Sequence, residues 1–203
     1  MKIKPPRLKK GDRIGILAPA GPVLQDEIQP GLNFLESLGF EPVCSPHLFD
    51  QAGYLAGEDR ARLKDLHAMF RDRKIKAVLC ARGGYGTHRI LQKLDYPLFK
   101  QHPKILVGYS DITALLCALF KKSGLITIHG PVVRDLLKGD GRNAALLLKL
   151  MTSDELTTVN FPSGIAVKKG RVQGVLLGGN LSLICHLIGT PFLPSFKGKL
   201  LFI

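Results

Sequence analysis

The 203-residue chain has no apolar run long enough to cross a membrane, which sets aside a helical span. Its first ten residues, Met1 to Lys10, are basic but lack the apolar stretch and small-residue cleavage site of a secretory signal, so a cytoplasmic protein is expected. Cysteine is scarce. Cys44, Cys80, Cys117 and Cys185 stand far apart and mostly in apolar runs, a pattern that suits buried free thiols rather than a disulfide framework or a zinc site. His47, His67, His88, His102 and His186 show no ligand spacing among themselves or with cysteine, so no metal is expected. Acidic residues are also few, 16 against 29 Lys and Arg, leaving a net charge of +13. These cations are spread along the chain without the aromatic-basic alternation of single-strand binders, which argues against nucleic acid and points more mildly to an anionic small substrate. A plainer alternative is that balancing acidic residues lie outside this chain.

What is present is the make-up of a packed α/β protein, with 45% hydrophobic residues and 22 glycines in a length that suits one full domain and part of another. A short apolar strand from Arg13 to Ala18 leads to a helix over 25–38, with a restart at Pro30, and Gly39 stops it. A second strand, Phe40 to Cys44, is followed by a loop and by an amphipathic helix from Glu58 to Arg71 with Ala61, Leu63, Leu66, Met69 and Phe70 inward. Further strands are expected at Lys76 to Cys80, at Ile105 to Gly108 and at Leu125 to His129, with helices over 88–94, from Asp111 to Phe120, and over 143–151. This alternation predicts a doubly wound parallel sheet of the flavodoxin or Rossmann kind. The expected division is an N-terminal α/β domain over 1–151, a linker over 152–169, and the start of a second β/α domain over 170–203 that packs few apolar groups against the first. The chain stops in mid-strand at Ile203, as if that second domain were truncated.

Three candidates for chemistry gather at the carboxyl ends of the predicted strands. In Gly108-Tyr-Ser110-Asp111, Ser110 stands where an apolar strand turns straight into a helix, the place where α/β hydrolases hold a nucleophile. The helix start supplies unpaired N–H groups for an oxyanion, although Ser and Asp are also ordinary capping residues, and the second glycine of the usual elbow is replaced by Ile112. In Ala81-Arg-Gly83-Gly84-Tyr85-Gly86-Thr87, three glycines in four residues can cradle phosphate, donate an oxyanion N–H or simply turn tightly. A phosphate loop is disfavoured because the Gly-Lys-Ser/Thr ending is absent, and the spacing fails a dinucleotide fingerprint. His129 lies at the same edge, within reach of substrate or nucleophile, with a hydrogen-bonded structural histidine as the plainer alternative.

Five ordered segments together carry a resemblance: Gly11 to Ala20, Ala81 to Gly86, Gly108 to Thr113, His129 to Pro131 and Gly174 to Ser182. The set resembles the LD-carboxypeptidase family of serine peptidases, which includes murein tetrapeptide carboxypeptidases and microcin C immunity peptidases. The resemblance implies that Ser110 is the nucleophile, that the backbone N–H groups of Asp111 and of Gly83 or Gly84 form the oxyanion hole, with Gly84 preferred, and that Tyr85, Tyr109 and His129 face substrate. It implies a Ser-Glu-His triad whose glutamate follows a segment like Gly198 to Ile203 and whose histidine comes later, so neither partner has a counterpart here. The implied reaction is release of terminal D-alanine from meso-diaminopimelate in a cytoplasmic muropeptide during cell-wall recycling, with no metal or organic cofactor and no nucleic acid or membrane partner. A homodimer is among the assemblies it admits. A non-catalytic muropeptide-binding module is the competing class, and nucleic-acid binding through the positive charge is a third.

Overall fold

The computed structural model describes residues 2–155, 157–159 and 164–203. Five strands, β1 (Arg13–Leu17), β2 (Glu41–Cys44), β3 (Ile75–Cys80), β4 (Ile105–Gly108) and β5 (Ile128–His129), form one parallel sheet in the order β2-β1-β3-β4-β5. This is the doubly wound order, with the direction of winding reversing between β1 and β3. Buried side chains alternate along the three central strands β1, β3 and β4. Ile14, Ile16, Ala77, Leu79, Ile105 and Val107 face one helix layer, while Leu17, Val78 and Leu106 face the other. Cover on both faces is why these segments read in sequence as unbroken apolar runs.

The first layer is α1 (Gln25–Ser37) and α6 (Arg142–Thr152), which bring Ile28, Leu32, Leu35, Leu147 and Met151 onto the sheet. The second is α2 (Asp59–Arg71), the short α3 (Thr87–Ile90), α4 (Tyr96–Gln101) and α5 (Ile112–Ser123). Every residue of α5 from Ile112 to Leu119 is buried. A helix apolar on all sides must be covered on all sides. The outer cover is α7 (Leu181–His186), which lies in a second block between β6 (Val175–Gly178) and β7 (Lys199–Phe202), two parallel strands that form their own sheet.

The structure departs from the sequence-based expectations in several places. Instead of packing few apolar groups against the first sheet's helices, the second block buries Leu187 and Phe192 in the same cluster as α4 and α5, with Leu183 and Leu193 packed against it and the Phe192 ring stacked 6.2 Å from that of Tyr96. Helix α1 runs unbroken through Pro30, which is exposed, so water can reach the one carbonyl that loses its N–H partner. The helix expected over 88–94 begins at Thr87 and tightens into a 3-10 turn over Leu91–Lys93. On α2, Ala61 and Leu63 are half-buried and the buried face includes Arg62 and Asp65, the latter accepting from the His47 backbone N–H at 3.0 Å. Cys80 and Cys117 are buried, but Cys44 and Cys185 are exposed, and all four are free thiols. Of the expected linker, Leu156 and residues 160–163 lie outside the described residues.

Lys104 is another buried charge that the pattern concealed, only 5% exposed. Its Nζ donates to the Met69 carbonyl at 2.7 Å and to that of Asp72, satisfying the carboxyl end of α2. Burial pulls its pKa down from the ordinary 10.5 to about 8, opposed only in part by the Asp72 charge. Between those values the unfolded chain holds more protons than the folded one, so stability rises with pH across the window. Urea melts at pH 8 and pH 10 are expected to show a gain of about 2 kcal/mol relative to Lys104→Met, given 1.36 kcal/mol per pKa unit. Identical pH slopes for the two proteins would contradict this.

Candidate active site

The site is built where β3 and β4 end side by side. A side chain at Gly108 would put its first carbon 2.6 Å from Ile112 Cγ2, so only glycine lets the strand run this directly into α5. Two residues on, Ser110 has φ of 61°, the one positive value at a non-glycine residue among the described residues. For a residue with a Cβ that is a strained backbone, held by its surroundings. They are the first-turn hydrogen bonds of α5, from Ile112 N to Tyr109 O at 3.3 Å, Thr113 N to Ser110 O at 3.0 Å and Ala114 N to Asp111 O at 3.2 Å. The hydroxyl therefore projects from a sharp corner beside the unpaired N–H groups of a helix start.

Across from it lies the glycine-rich loop that follows β3. A methyl group on Gly83 would come 3.0 Å from Ser110 Cβ and 3.2 Å from Oγ, whereas one on Gly84 would come 2.8 Å from the N and Cα of Gly21. Gly83 thus stands against the serine and Gly84 against the loop after β1, where Gly21 N–H donates to the Gly83 carbonyl at 3.1 Å. Asp111 holds the other end of the loop. Its buried carboxylate accepts from the Thr87 backbone N–H and lies 2.9 Å from Thr87 Oγ1, which is 2.7 Å from the Asp111 carbonyl. The aspartate that reads in sequence as a cap of α5 makes no such cap and instead fixes the distance between corner and loop.

The three residues expected to face substrate surround this corner. His129 ends β5 in register with Gly108, its ring edge-on to Tyr109 at 6.3 Å and to Phe202 at 6.4 Å. It stays solvent-accessible, yet the desolvation around its ring lowers its pKa and favours the neutral form. The Tyr109 hydroxyl donates to Asp135, which raises the tyrosine's pKa. Tyr85 is 53% exposed and meets the still more exposed Tyr54 edge to face at 5.4 Å. No side-chain hydrogen bond joins Ser110 Oγ to a histidine or carboxylate among the described residues. Nor do three His, Cys, Asp or Glu side chains converge among them as metal ligands would.

The second block meets the same corner. Gly179 has φ of 139° and packs on Thr113, where a methyl group would lie 2.5 Å from Cγ2, and Asn180 N–H donates to Thr113 Oγ1 at 3.1 Å. Gly179 N–H also donates to the Phe202 carbonyl at 2.9 Å, so the carboxyl ends of β6 and β7 abut the first turn of α5. His88 and His186, which nothing in their spacing links, meet across this seam with rings 5.8 Å apart. A projecting hydroxyl flanked by backbone N–H donors is an arrangement for attack on an acyl carbon once a base is within reach.

The family profile described as the LD-carboxypeptidase N-terminal domain matches residues 14–130. The chain belongs to the LD-carboxypeptidase family. The profile for the LD-carboxypeptidase C-terminal domain matches residues 173–203. Among relatives of this LD-carboxypeptidase family chain, the protein of Bacillus subtilis (strain 168) named "Probable murein peptide carboxypeptidase" is 44% identical over 207 residues, covering 100% of the chain and 65% of the relative. The murein tetrapeptide carboxypeptidase of Pseudomonas aeruginosa is 36% identical over 188 residues, covering 88% of the chain and 61% of the relative. Among solved structures, the MccF-like protein of Bacillus anthracis superposes with a TM-score of 0.91 at 31% identity, covering 98% of this chain and 69% of that one. The chain therefore spans about two thirds of the length of these relatives.

Proposed function

We propose that the chain carries the nucleophile of a serine-type LD-carboxypeptidase that releases terminal D-alanine from the L-centre of meso-diaminopimelate in a cytoplasmic murein tetrapeptide. The observation that carries this reading is the corner itself, with the strained Ser110 facing the bare backbone of Gly83. Ser110 attacks the scissile carbonyl, and the N–H groups of Asp111 and of the Gly83-Gly84 loop receive the oxyanion. Gly83, which stands against the serine, is the nearer of the two loop glycines by its Cβ direction. A histidine of the C-terminal domain, oriented by a glutamate, takes the serine proton and passes it to the leaving amine, and water then clears the acyl-enzyme. In this scheme residues 1–151 form the nucleophile-bearing domain, 152–169 the connection and 170–203 the start of the second domain. Tyr85, Tyr109 and His129 line the substrate side, and the positive charge suits a substrate with several carboxylates.

The likeness to the MccF-like structure favours a second substrate class, a peptide-nucleotide conjugate, on the same chemistry. The test is an assay of D-alanine release from a murein tetrapeptide beside hydrolysis of such a conjugate, with the C-terminal domain completed by fusion from a relative. Release from the tetrapeptide, with no cleavage of a peptide ending in two D-alanines, is the expected result. Preference for the conjugate would move the assignment to the second class, and tight muropeptide binding without turnover would make the protein a binding module. A fluorophosphonate is expected to add its mass to Ser110 alone.

A further inference from the structure

We propose that Arg62 is a positioning residue for the candidate oxyanion loop, setting it from the far side without touching the reacting atoms; this rests on the assignment of Ser110 and the glycine loop made above. Arg62 lies on α2, remote in sequence from every motif of the site, and is 2% exposed. Its Nη1 donates to the Pro19 carbonyl at 2.6 Å and to the Gly86 carbonyl at 3.0 Å, and its Nη2 pairs with Asp59. Asp59 is in turn held by Arg89 Nε at 2.8 Å. Pro19 belongs to the loop after β1 and Gly86 closes the glycine-rich loop after β3, so one guanidinium joins the two loops that also meet through Gly21 and Gly83.

The choice of residue is informative. Burying a charge costs several kcal/mol even when it is paired, so a side chain needed only to fill space would be apolar. The Pro19 carbonyl, outside any strand ladder, needs a donor, and one Arg62 nitrogen serves both it and the Gly86 carbonyl, which also accepts from the Arg89 N–H at 3.2 Å, while Nη2 stays on Asp59, a fork that an ammonium lacks. Gly86, with φ of 125°, packs against it and Leu55: a methyl group there would come 2.6 Å from Leu55 Cδ2 and 2.8 Å from Nη1. The loop is consequently pinned at Gly83 by Gly21, at Gly86 by Arg62 and at Thr87 by Asp111, and Gly83, at the first of these points, is the residue that stands against Ser110. Movement of about 1 Å in such a donor can cost on the order of 100-fold in rate. Because Arg62 acts on transition-state donors, the loss falls on the chemical step rather than on binding.

The experiment labels Ser110 with a fluorophosphonate in the presence of imidazole and separates the maximal labelling rate from the half-saturating concentration. Arg62→Lys is expected to slow maximal labelling roughly 10- to 100-fold while half-saturation stays within about twofold, with faster amide exchange confined to residues 83–87. Gly86→Ala, which at φ of 125° presses on Leu55 Cδ2 and on Nη1 and so shifts the same end of the loop without removing the guanidinium, is expected to do the same and serves if Arg62→Lys does not fold. Asp59→Asn, which spares both carbonyl bonds, is expected to stay within about threefold of wild type. Unchanged maximal labelling in folded Arg62→Lys or Gly86→Ala, or an equal loss in Asp59→Asn, overturns the role of Arg62 alone. The same labelling is run on the protein with its C-terminal domain completed, and failure of Ser110 to label there overturns the underlying assignment and this proposal with it.

Discussion

Ser110→Ala is expected to lower D-alanine release by on the order of a million-fold in the protein with its C-terminal domain complete, the size of effect seen when a serine nucleophile is deleted. The fold should survive, because the hydroxyl is not among the hydrogen bonds that hold the corner, which run through the backbone of Tyr109, Ser110 and Asp111. Ser110→Gly should be as inactive but the more stable of the two, since a side chain at φ of 61° costs roughly 1 kcal/mol that glycine escapes. The measurements are turnover and urea melting of both variants. Appreciable turnover by Ser110→Ala would remove the serine from the mechanism. An equally stable pair would mean that the corner is not strained.

The second large effect concerns the base. In the 203-residue chain alone, Ser110 Oγ has no histidine or carboxylate hydrogen-bonded to it among the described residues, and His129 is engaged with the rings of Tyr109 and Phe202 instead. A neutral serine without a base is a poor nucleophile. Loss of triad partners typically forfeits on the order of a million-fold, leaving only what binding and the oxyanion donors provide. The chain alone is therefore expected to release D-alanine about that much more slowly than the completed protein, and added imidazole is expected to restore a measurable part in a Ser110-dependent way. Equal turnover by the two forms would defeat the expectation and make His129 the base, in which case His129→Ala would abolish it.

The parallel sheet was legible because its central strands β1, β3 and β4 are buried on both faces and so appear as short apolar runs, as from Ile14 to Leu17 or from Ile105 to Gly108. The corner was legible for the same reason, since Gly108 and Ser110 interrupt two such runs at once. Arg62, Asp65 and Lys104 were not. A charged residue in an amphipathic pattern is assigned to water by default, and only the fold reveals that carbonyls left over at the ends of β1, of the glycine loop and of α2 call for donors inside. The helical role of Asp111 misled likewise, because a side chain that can cap its own helix can equally reach Thr87, and sequence does not contain the distance. The reach of the second block was underestimated because Leu187 and Phe192 look like ordinary members of their own segment until α5 is seen to need an outer cover.

The grip of Asn180 and Gly179 on Thr113 also bears on how such a protein can drift. Thr113 belongs to the helix that begins at the serine corner, so the β6–β7 edge is pivoted a few residues from Ser110 rather than slung from the stretch before it. The lever arm between that edge and the nucleophile is thus short and independent of how much chain lies upstream. Residues 164–174, exposed and outside any helix or strand, can accept insertions and deletions without altering it. A change at Thr113, Gly178 or Gly179 has no such freedom, because it lengthens the arm itself.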